Sequence, residues 1–182
     1  AVGLDKSNIE RRSIEMSLFK IIDHEIKKYH NHPVLVIAGK NWHEGVIGIV
    51  ASKIKDKYNK PTIIISLDGS TGKGSARSII GFDIGSQIIK AVQMNILKKG
   101  GGHKMAAGFS IIEKNIPLFR DLLIKSFEKI FKNFTVEKKL YLDSLIAPSA
   151  LNEDFYNEIN LLAPFGSGNK EPTFMIENLK VL

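Results

Sequence analysis

Apolar residues near the start of the chain recur with the spacing of one helix face, and charged residues occupy the opposite face. This pattern predicts an amphipathic helix that begins near Asn8 and ends before Pro33. The apolar stripe consists of Ile14, Leu18, Ile21, Ile22 and Ile26.

Two continuous apolar runs follow, at 34–39 and 61–66, separated by a helical pattern over 43–58. Runs of this length indicate buried strands. A strand, a helix and a strand within about thirty residues predict a right-handed parallel βαβ unit.

The rest of the chain predicts further alternating elements. They are strands at 73–78, 106–112, 139–144 and 174–182, and helices at 83–97, 116–134 and 149–162. We therefore expect an α/β fold in which helices flank a mixed, mostly parallel sheet.

Charge divides the chain. Residues 33–135 carry 16 Lys and Arg against 7 Asp and Glu, whereas residues 136–182 carry 4 against 7. A basic middle and an acidic end favour two modules, the first facing a polyanion, although a solvated lysine-rich surface fits as well. The chain has no cysteine, which is consistent with a cytoplasmic location, and no apolar run approaches the roughly 20 residues that span a bilayer.

The segment 100–109, GGGHKMAAGF, is the strongest candidate for chemistry. Consecutive glycines permit positive φ and bring a ligand close to main-chain N–H groups, as in an anion-binding nest. On this basis Gly100, Gly101, Gly102, His103 and Lys104 are candidate phosphate-binding residues. A helix end followed by a turn explains the same glycines equally well.

A second candidate is Lys73-Gly74-Ser75-Ala76-Arg77-Ser78. Hydroxyl groups and a planar guanidinium match phosphate oxygens, so Ser75, Arg77 and Ser78 are predicted phosphate ligands. Lys73 lies beside them, adds charge and is a candidate for lining a cleft. The spacing excludes an ATP-binding P-loop, and a glycine-rich hairpin with an exposed arginine remains the alternative.

Trp42 and His43 lie where a strand passes into a helix, a frequent location for ligands in open α/β sheets. They are candidates for lining a cleft, although a lone tryptophan more often covers a core. We find no metal-ligand spacing and no nucleophile–base pair, so the sequence offers phosphate-binding residues without a catalytic centre.

Together these motifs resemble the RecJ-type single-strand-specific exonucleases of the DHH phosphoesterase superfamily. Residues 100–108 match the GGGHxxAAG signature of the DHHA1 domain, and residues 74–83 are similar to its glycine–serine–arginine strand. Residues 42–52 look like its first strand–helix junction. Residues 8–12 resemble the helix that joins it to the DHH domain, and 161–172 the beginning of an OB-type domain.

The resemblance implies three parts: a linker helix from a missing DHH domain (1–32), a DHHA1 substrate-binding domain (33–136) and an incomplete OB-type domain (137–182). It further implies 5′→3′ hydrolysis of single-stranded DNA in repair and recombination, with Mn²⁺ or Mg²⁺ held by the DHH domain. The aspartate-rich DHH motifs do not occur in these residues, so we expect no metal site and no activity from this chain alone.

Within this interpretation His103 stabilises charge on a phosphate oxygen during catalysis. The expected partner is single-stranded DNA with a 5′ end. We expect no association with a membrane. Two alternatives stay open: a non-catalytic nucleic-acid-binding module, and an oligoribonuclease-like DHH phosphoesterase that acts on short oligonucleotides.

Overall fold

The computed structural model describes residues 2–29, 31–132, 140–166, 168–178 and 180. The chain divides into two compact units, residues 1–136 and 137–182. Each unit is described by itself below.

Helices flank a five-stranded sheet in the described part of the first unit. Its helices are α1 (Val2–Ile26), α2 (Glu44–Tyr58), α3 (Ile84–Gln93) and α4 (Ile116–Phe131). Its strands are β1 (Leu35–Lys40), β2 (Thr62–Asp68), β3 (Thr71–Arg77), β4 (Leu97–His103) and β5 (Ala106–Ile112). Single 3₁₀ turns lie at Lys27–Tyr29 and Glu113–Asn115.

The strand order is β1-β2-β3-β5-β4. The α/β class with flanking helices is confirmed, and β1 and β2 are parallel as expected for a βαβ unit. The prediction of a mostly parallel sheet is wrong, because the other three pairings are antiparallel. Two-residue turns at 69–70 and 104–105 join β2 to β3 and β4 to β5, and such turns cannot form the crossover that parallel strands require.

One face of the sheet is fully packed. Alternate residues of all five strands meet α3 and α4 in a buried apolar cluster, in which Phe109 packs edge-on against Phe119 with ring centroids 5.0 Å apart. Phe82 and Ile88 are also buried in this cluster. This core fixes which side chains of β3, β4 and β5 point to the opposite face.

On the opposite face, α2 lies over β2 and β3, and α1 packs on α2. Leu18, Ile22 and Ile26 are buried there, whereas Ile14 and Ile21 of the predicted stripe are exposed. Asp23 joins the two helices by accepting hydrogen bonds from Lys57 and Tyr58. The hydrogen bond from Lys57 is the main cause of the lowered pKa of Asp23.

The glycine segment differs from its prediction. Gly100, Gly101 and Gly102 belong to strand β4, and none of them has positive φ. The predicted helix 83–97 is correspondingly shorter, because α3 ends at Gln93 and Leu97 already begins β4. The backbone therefore forms a sheet edge here, and a nest of N–H groups is excluded.

The described part of the second unit contains short elements. They are β6 (Ser144–Leu145), the 3₁₀ turn Pro148–Ala150, α5 (Glu153–Asn160) and β7 (Phe174–Met175). Strands β6 and β7 pair in parallel. The predicted helix 149–162 and strand 174–182 are shorter than expected, and most of the predicted strand 139–144 has no regular pairing. Residues 133–139, 179, 181 and 182 lie outside the described residues.

Candidate nucleic-acid interface

Three neighbouring strands present polar and small residues on the face opposite the α3–α4 core. The alternation of β3 turns Lys73, Ser75 and Arg77 to this side, while Gly72, Gly74 and Ala76 are buried. The sheet register places residues of β5 and β4 directly beside them. We call this surface the open strip; it comprises Lys73, Ser75, Arg77, Ala106, Gly108, Ser110, Lys99, Gly101 and His103.

The register arranges the open strip in three rows across the strands. The first row is Arg77, Ala106 and His103, the second is Ser75, Gly108 and Gly101, and the third is Lys73, Ser110 and Lys99. Successive rows are two residues apart, or about 6.6 Å along the strands. Basic side chains therefore stand at both ends of the strip, with bare backbone between them.

Arg77 is the most firmly held side chain of the strip. Its Nε donates to Ser52 Oγ of α2 at 3.1 Å, and its Nη1 donates to Ser75 Oγ at 2.9 Å and to the Ala76 carbonyl at 2.9 Å. The close approach of α2 depends on Gly48, because a Cβ there would lie 2.9 Å from Arg77 Nη2. Arg77 and Ser75, both predicted phosphate ligands, are thus brought into direct contact.

The glycines of β4 differ in the space around them. A Cβ added to Gly101 would meet nothing within 4 Å, and one at Gly108 would meet only the Gly74 carbonyl oxygen, at 3.9 Å. A Cβ at Gly102 would instead collide with the Ala106 carbonyl oxygen and the Cα of Ala107. Gly101 and Gly108 therefore leave the centre of the open strip accessible down to the backbone, whereas Gly102 and Gly100 serve packing on the other face.

His103 ends β4 in the first row and is exposed. Its Nδ1 accepts a hydrogen bond from the Met105 amide at 3.3 Å, which directs Nε2 away from the β4–β5 turn. Lys104 lies in that turn, outside the strip. Its carbonyl accepts from the Ile84 amide, and its charge lies close enough to Asp83 to favour the ionised carboxylate.

A cavity of about 580 Å³ lies over the second and third rows, and Ser75 and Gly108 of the second row also line it. It is bounded by Lys73, Lys99 and Ser110 on the strands and by Glu44 and Ile47 of α2. Lys73 and Glu44 form an ion pair of 2.7 Å across its rim. Lys73, a predicted cleft-lining residue, thus lies at the rim of this cavity.

Trp42 and His43 lie elsewhere. The Trp42 ring packs on the backbone of Gly39 and borders, with His43, a different cavity of about 400 Å³ against α1. His43 caps α2 by accepting a hydrogen bond from the Gly45 amide at 3.1 Å. The structure thus separates these two residues from the other candidates.

Ser78 is also separate. It is buried, its hydroxyl donates to the Phe82 carbonyl at 2.6 Å, and its amide donates to the Met105 carbonyl at 2.9 Å. The hydroxyl that was predicted to meet a phosphate is used inside the fold, so Ser78 is removed from the phosphate-binding set.

Comparison with known proteins identifies the fold that carries the open strip. Residues 31–129, more than half of the chain, match the DHHA1 domain family. The chain belongs to the DHHA1 family. Residues 142–182 match the RecJ OB domain.

The DHHA1 chain is similar to RecJ proteins over almost its whole length. It is 31% identical to the single-stranded-DNA-specific exonuclease RecJ of Bacillus subtilis over 98% of its length, and 31% identical to that of Haemophilus influenzae over 96%. It spans only 23% and 32% of those two proteins. The predicted resemblance to RecJ is confirmed.

Solved structures agree. The crystal structure of RecJ from Thermus thermophilus in complex with Mn²⁺ superposes with a TM-score of 0.79 at 27% identity, covering 96% of this DHHA1 chain and 25% of that chain. The Mg²⁺ complex of the same protein gives a TM-score of 0.75.

Two further results bound the chemistry of the DHHA1 chain. Across the part that the structure describes, no group of three or more His, Asp or Glu residues is placed to hold a metal ion. Within the same residues, no helix combines the length and apolar character that crossing a membrane requires.

Sequence reasoning missed five residues of the interface: Lys99, Ala106, Gly108 and Ser110 in the strip, and Glu44 at its rim. The alternation of 106–112 points Ala106, Gly108 and Ser110 to the same side of a strand, so β5 alone carried a usable signal for three of them. Lys99 required the assignment of 97–103 as a strand.

Proposed function

We propose that this chain is the substrate-binding part of a metal-dependent 5′→3′ exonuclease that acts on single-stranded DNA in repair and recombination, in the cytoplasm. The observation that carries the proposal is the open strip, in which basic groups flank accessible backbone over three strands. Affinity for nucleic acid depends mainly on neutralising phosphates, and sequence-independent binding needs no base-specific contacts. The RecJ relatives support the choice of single-stranded DNA.

The proposed organisation has three parts. Residues 1–32 are a linker helix, residues 33–136 are the DHHA1 substrate-binding domain, and residues 137–182 belong to an OB-type domain. The match of residues 142–182 to the RecJ OB domain supports the last assignment.

The first row of the open strip, together with Ser75 of the second row, is the proposed site of the 5′-terminal phosphate. Arg77 is positioned by Ser52 and Ser75 before a ligand arrives, so little side-chain order remains to be lost on binding. The Ser75 hydroxyl can turn towards an anion while still accepting from Arg77. His103 completes the row and offers Nε2 to a phosphate oxygen.

The metal-binding part of the reaction is assigned elsewhere. The described side chains do not fit a metal centre, so no step of the proposal passes through a metal held by this chain. RecJ of Thermus thermophilus binds Mn²⁺ and Mg²⁺ in its crystal structures. We propose that the whole protein uses such an ion, that His103 stabilises the phosphate charge from the opposite side, and that this chain alone does not cleave DNA.

Fluorescence anisotropy tests the proposed function. Twelve-nucleotide single strands with a 5′-phosphate or a 5′-hydroxyl are titrated with wild type and with Arg77→Ala. We expect a preference for the phosphorylated strand of about tenfold, the value of one charge-assisted contact of about 1.5 kcal/mol, and its loss in the variant.

Arg77→Lys separates charge from geometry, since lysine cannot form the planar fork. An intermediate affinity supports a phosphate pocket at Arg77. Equal binding by wild type and both variants contradicts the assignment, and Mn²⁺-dependent degradation of the strand by the purified chain contradicts the expected inactivity.

A further inference from the structure

The third row of the open strip lies about 13 Å from the first along β3, because Lys73 lies four positions before Arg77. The 580 Å³ cavity covers this third row and reaches Ser75 and Gly108 of the second row, but it does not extend to Arg77 or His103. Its size is within the range of small-ligand pockets. The cavity therefore lies towards the Lys73 end of the strip.

A β-bulge builds the third row. Leu97 pairs with Ile111, but Lys99 pairs with Ser110, so Lys98 is an extra residue in β4. Without this insertion, the alternation of side chains would turn Lys99 to the α3–α4 face, where Leu97 and its partner Ile111 are buried. Bulges beside functional sites commonly redirect a side chain in this way. Here the bulge brings a second ammonium group opposite Lys73.

The ligand chemistry follows from these groups. Lys73 and Lys99 supply two positive charges on either side of the Ser110 hydroxyl, and the neighbouring Gly108 leaves backbone exposed. Both side chains of the Glu44–Lys73 pair are solvent-exposed, so water screens their attraction and an arriving phosphate can share Lys73.

We infer that Lys73, Ser110 and Lys99 form a second phosphate anchor, which binds the third phosphate of a DNA strand whose first phosphate lies at Arg77 and His103. This inference rests on the proposed function, since it takes the strand to follow the open strip. The second phosphate lies over the second row, where Gly101 and Gly108 expose the backbone. The DNA strand then runs in the 5′→3′ direction from Arg77 towards Lys73. The strip therefore accommodates three consecutive phosphates, one at each row. The shortest ligand that fills it is a 5′-phosphorylated trinucleotide.

The test compares 5′-phosphorylated di-, tri- and tetrathymidylate as competitors of a labelled twelve-nucleotide strand. For wild type, we expect affinity to rise at least fivefold from the dinucleotide to the trinucleotide, and much less from the trinucleotide to the tetranucleotide. Lys99→Gln and Lys73→Gln should abolish the first rise, lowering trinucleotide affinity much more than dinucleotide affinity. Lys90→Gln, which removes the same charge from the exposed face of α3, is the matched control and should retain it.

The outcomes separate the two proposals. If wild type binds phosphorylated DNA and Arg77→Ala weakens that binding, but the rise is absent or survives in both lysine variants, the second anchor is wrong and the proposed function stands. If wild type binds none of the strands, both are wrong. Circular dichroism of each variant excludes loss of folding as the cause.

Discussion

The two faces of the sheet use the same strands for opposite purposes. On the α3–α4 face, the glycines of β3 and β4 let bulky side chains pack: a Cβ at Gly74 would collide with the Phe109 ring, and one at Gly100 would lie 2.6 Å from Ile88. On the open strip, Gly101 and Gly108 have free space above them. Glycine thus permits close packing on one face and close approach of a ligand on the other, and only the three-dimensional surroundings tell the two roles apart.

The largest expected effect comes from adding a side chain on the packed face. Gly102→Val should lower the free energy of unfolding by about 3 kcal/mol, because the new atoms overlap backbone that cannot move independently. This reason replaces the positive φ that the glycine run suggested. Urea denaturation measures it, with Gly101→Val as the matched control.

The control sharpens the comparison. Valine is favoured in strands and the space at Gly101 is open, so Gly101→Val should change stability by less than about 0.5 kcal/mol. Equal losses at the two positions would show that the faces do not differ as described.

The next effect concerns binding on the open strip. Gly101→Ala should weaken the affinity for a 5′-phosphorylated single strand about fivefold, because a methyl group holds the sugar–phosphate chain away from the backbone, while the urea midpoint stays unchanged. Anisotropy measures the affinity. Unchanged affinity would indicate that the strand does not cross the glycine row.

A smaller change of opposite sign is expected at the rim. Glu44→Gln removes the carboxylate that pairs with Lys73 and should raise single-strand affinity about threefold. The slope of log affinity against log salt should steepen by up to about 0.7, the value for one more phosphate neutralised on a single strand. Titrations at NaCl concentrations between about 50 and 200 mM test this, because the affinity of proteins for nucleic acid changes strongly over that range. Glu113→Gln, which removes an equal charge just beyond β5, is the control.

The smallest expected effect is a difference in acid sensitivity. The Ser86 amide, which donates to the Asp83 carboxylate at 3.0 Å, is the main cause of the lowered pKa of Asp83. A lowered folded-state pKa stabilises the protein above the unfolded value of about 3.9, and this stabilisation is lost as pH falls through the folded value. Wild type should therefore lose slightly more stability than Asp83→Asn between pH 5 and pH 2, which denaturation at several pH values measures. Parallel pH profiles would contradict the role of Asp83 as the cap of α3.

The sequence predicted those parts of the fold that have a clear hydrophobic period. The apolar runs of β1 and β2 and the stripes of α2 and α4 identified their elements, and Ser75 and Arg77 were found from residue chemistry alone. Strand β4 was missed because three of its seven residues have no side chain and the bulge at Lys98 interrupts the two-residue period. Without β4 the register was unknown, so Lys99 could not be placed opposite Lys73.

The burial of Ser78 and the position of Trp42 apart from the open strip could not be predicted for another reason. Serine and tryptophan suit both a ligand site and an interior hydrogen bond or lid, and the burial that decides between these roles depends on contacts distant in the chain. The Ser78 hydroxyl donates a hydrogen bond to the Phe82 carbonyl, and the Trp42 ring packs against Gly39. Neither contact has a local signature.

Strand β4 stands at the edge of the five-stranded sheet. A flat, glycine-rich edge offers unpaired main-chain groups to a strand from another molecule, and lysines at such an edge discourage that pairing by repulsion. Lys98 and Lys99 are therefore expected to discourage pairing of this edge with another copy of the chain as well as to attract a polyanion. Removing both charges would make the protein more prone to aggregate, so solubility and DNA affinity are under a common constraint at this edge.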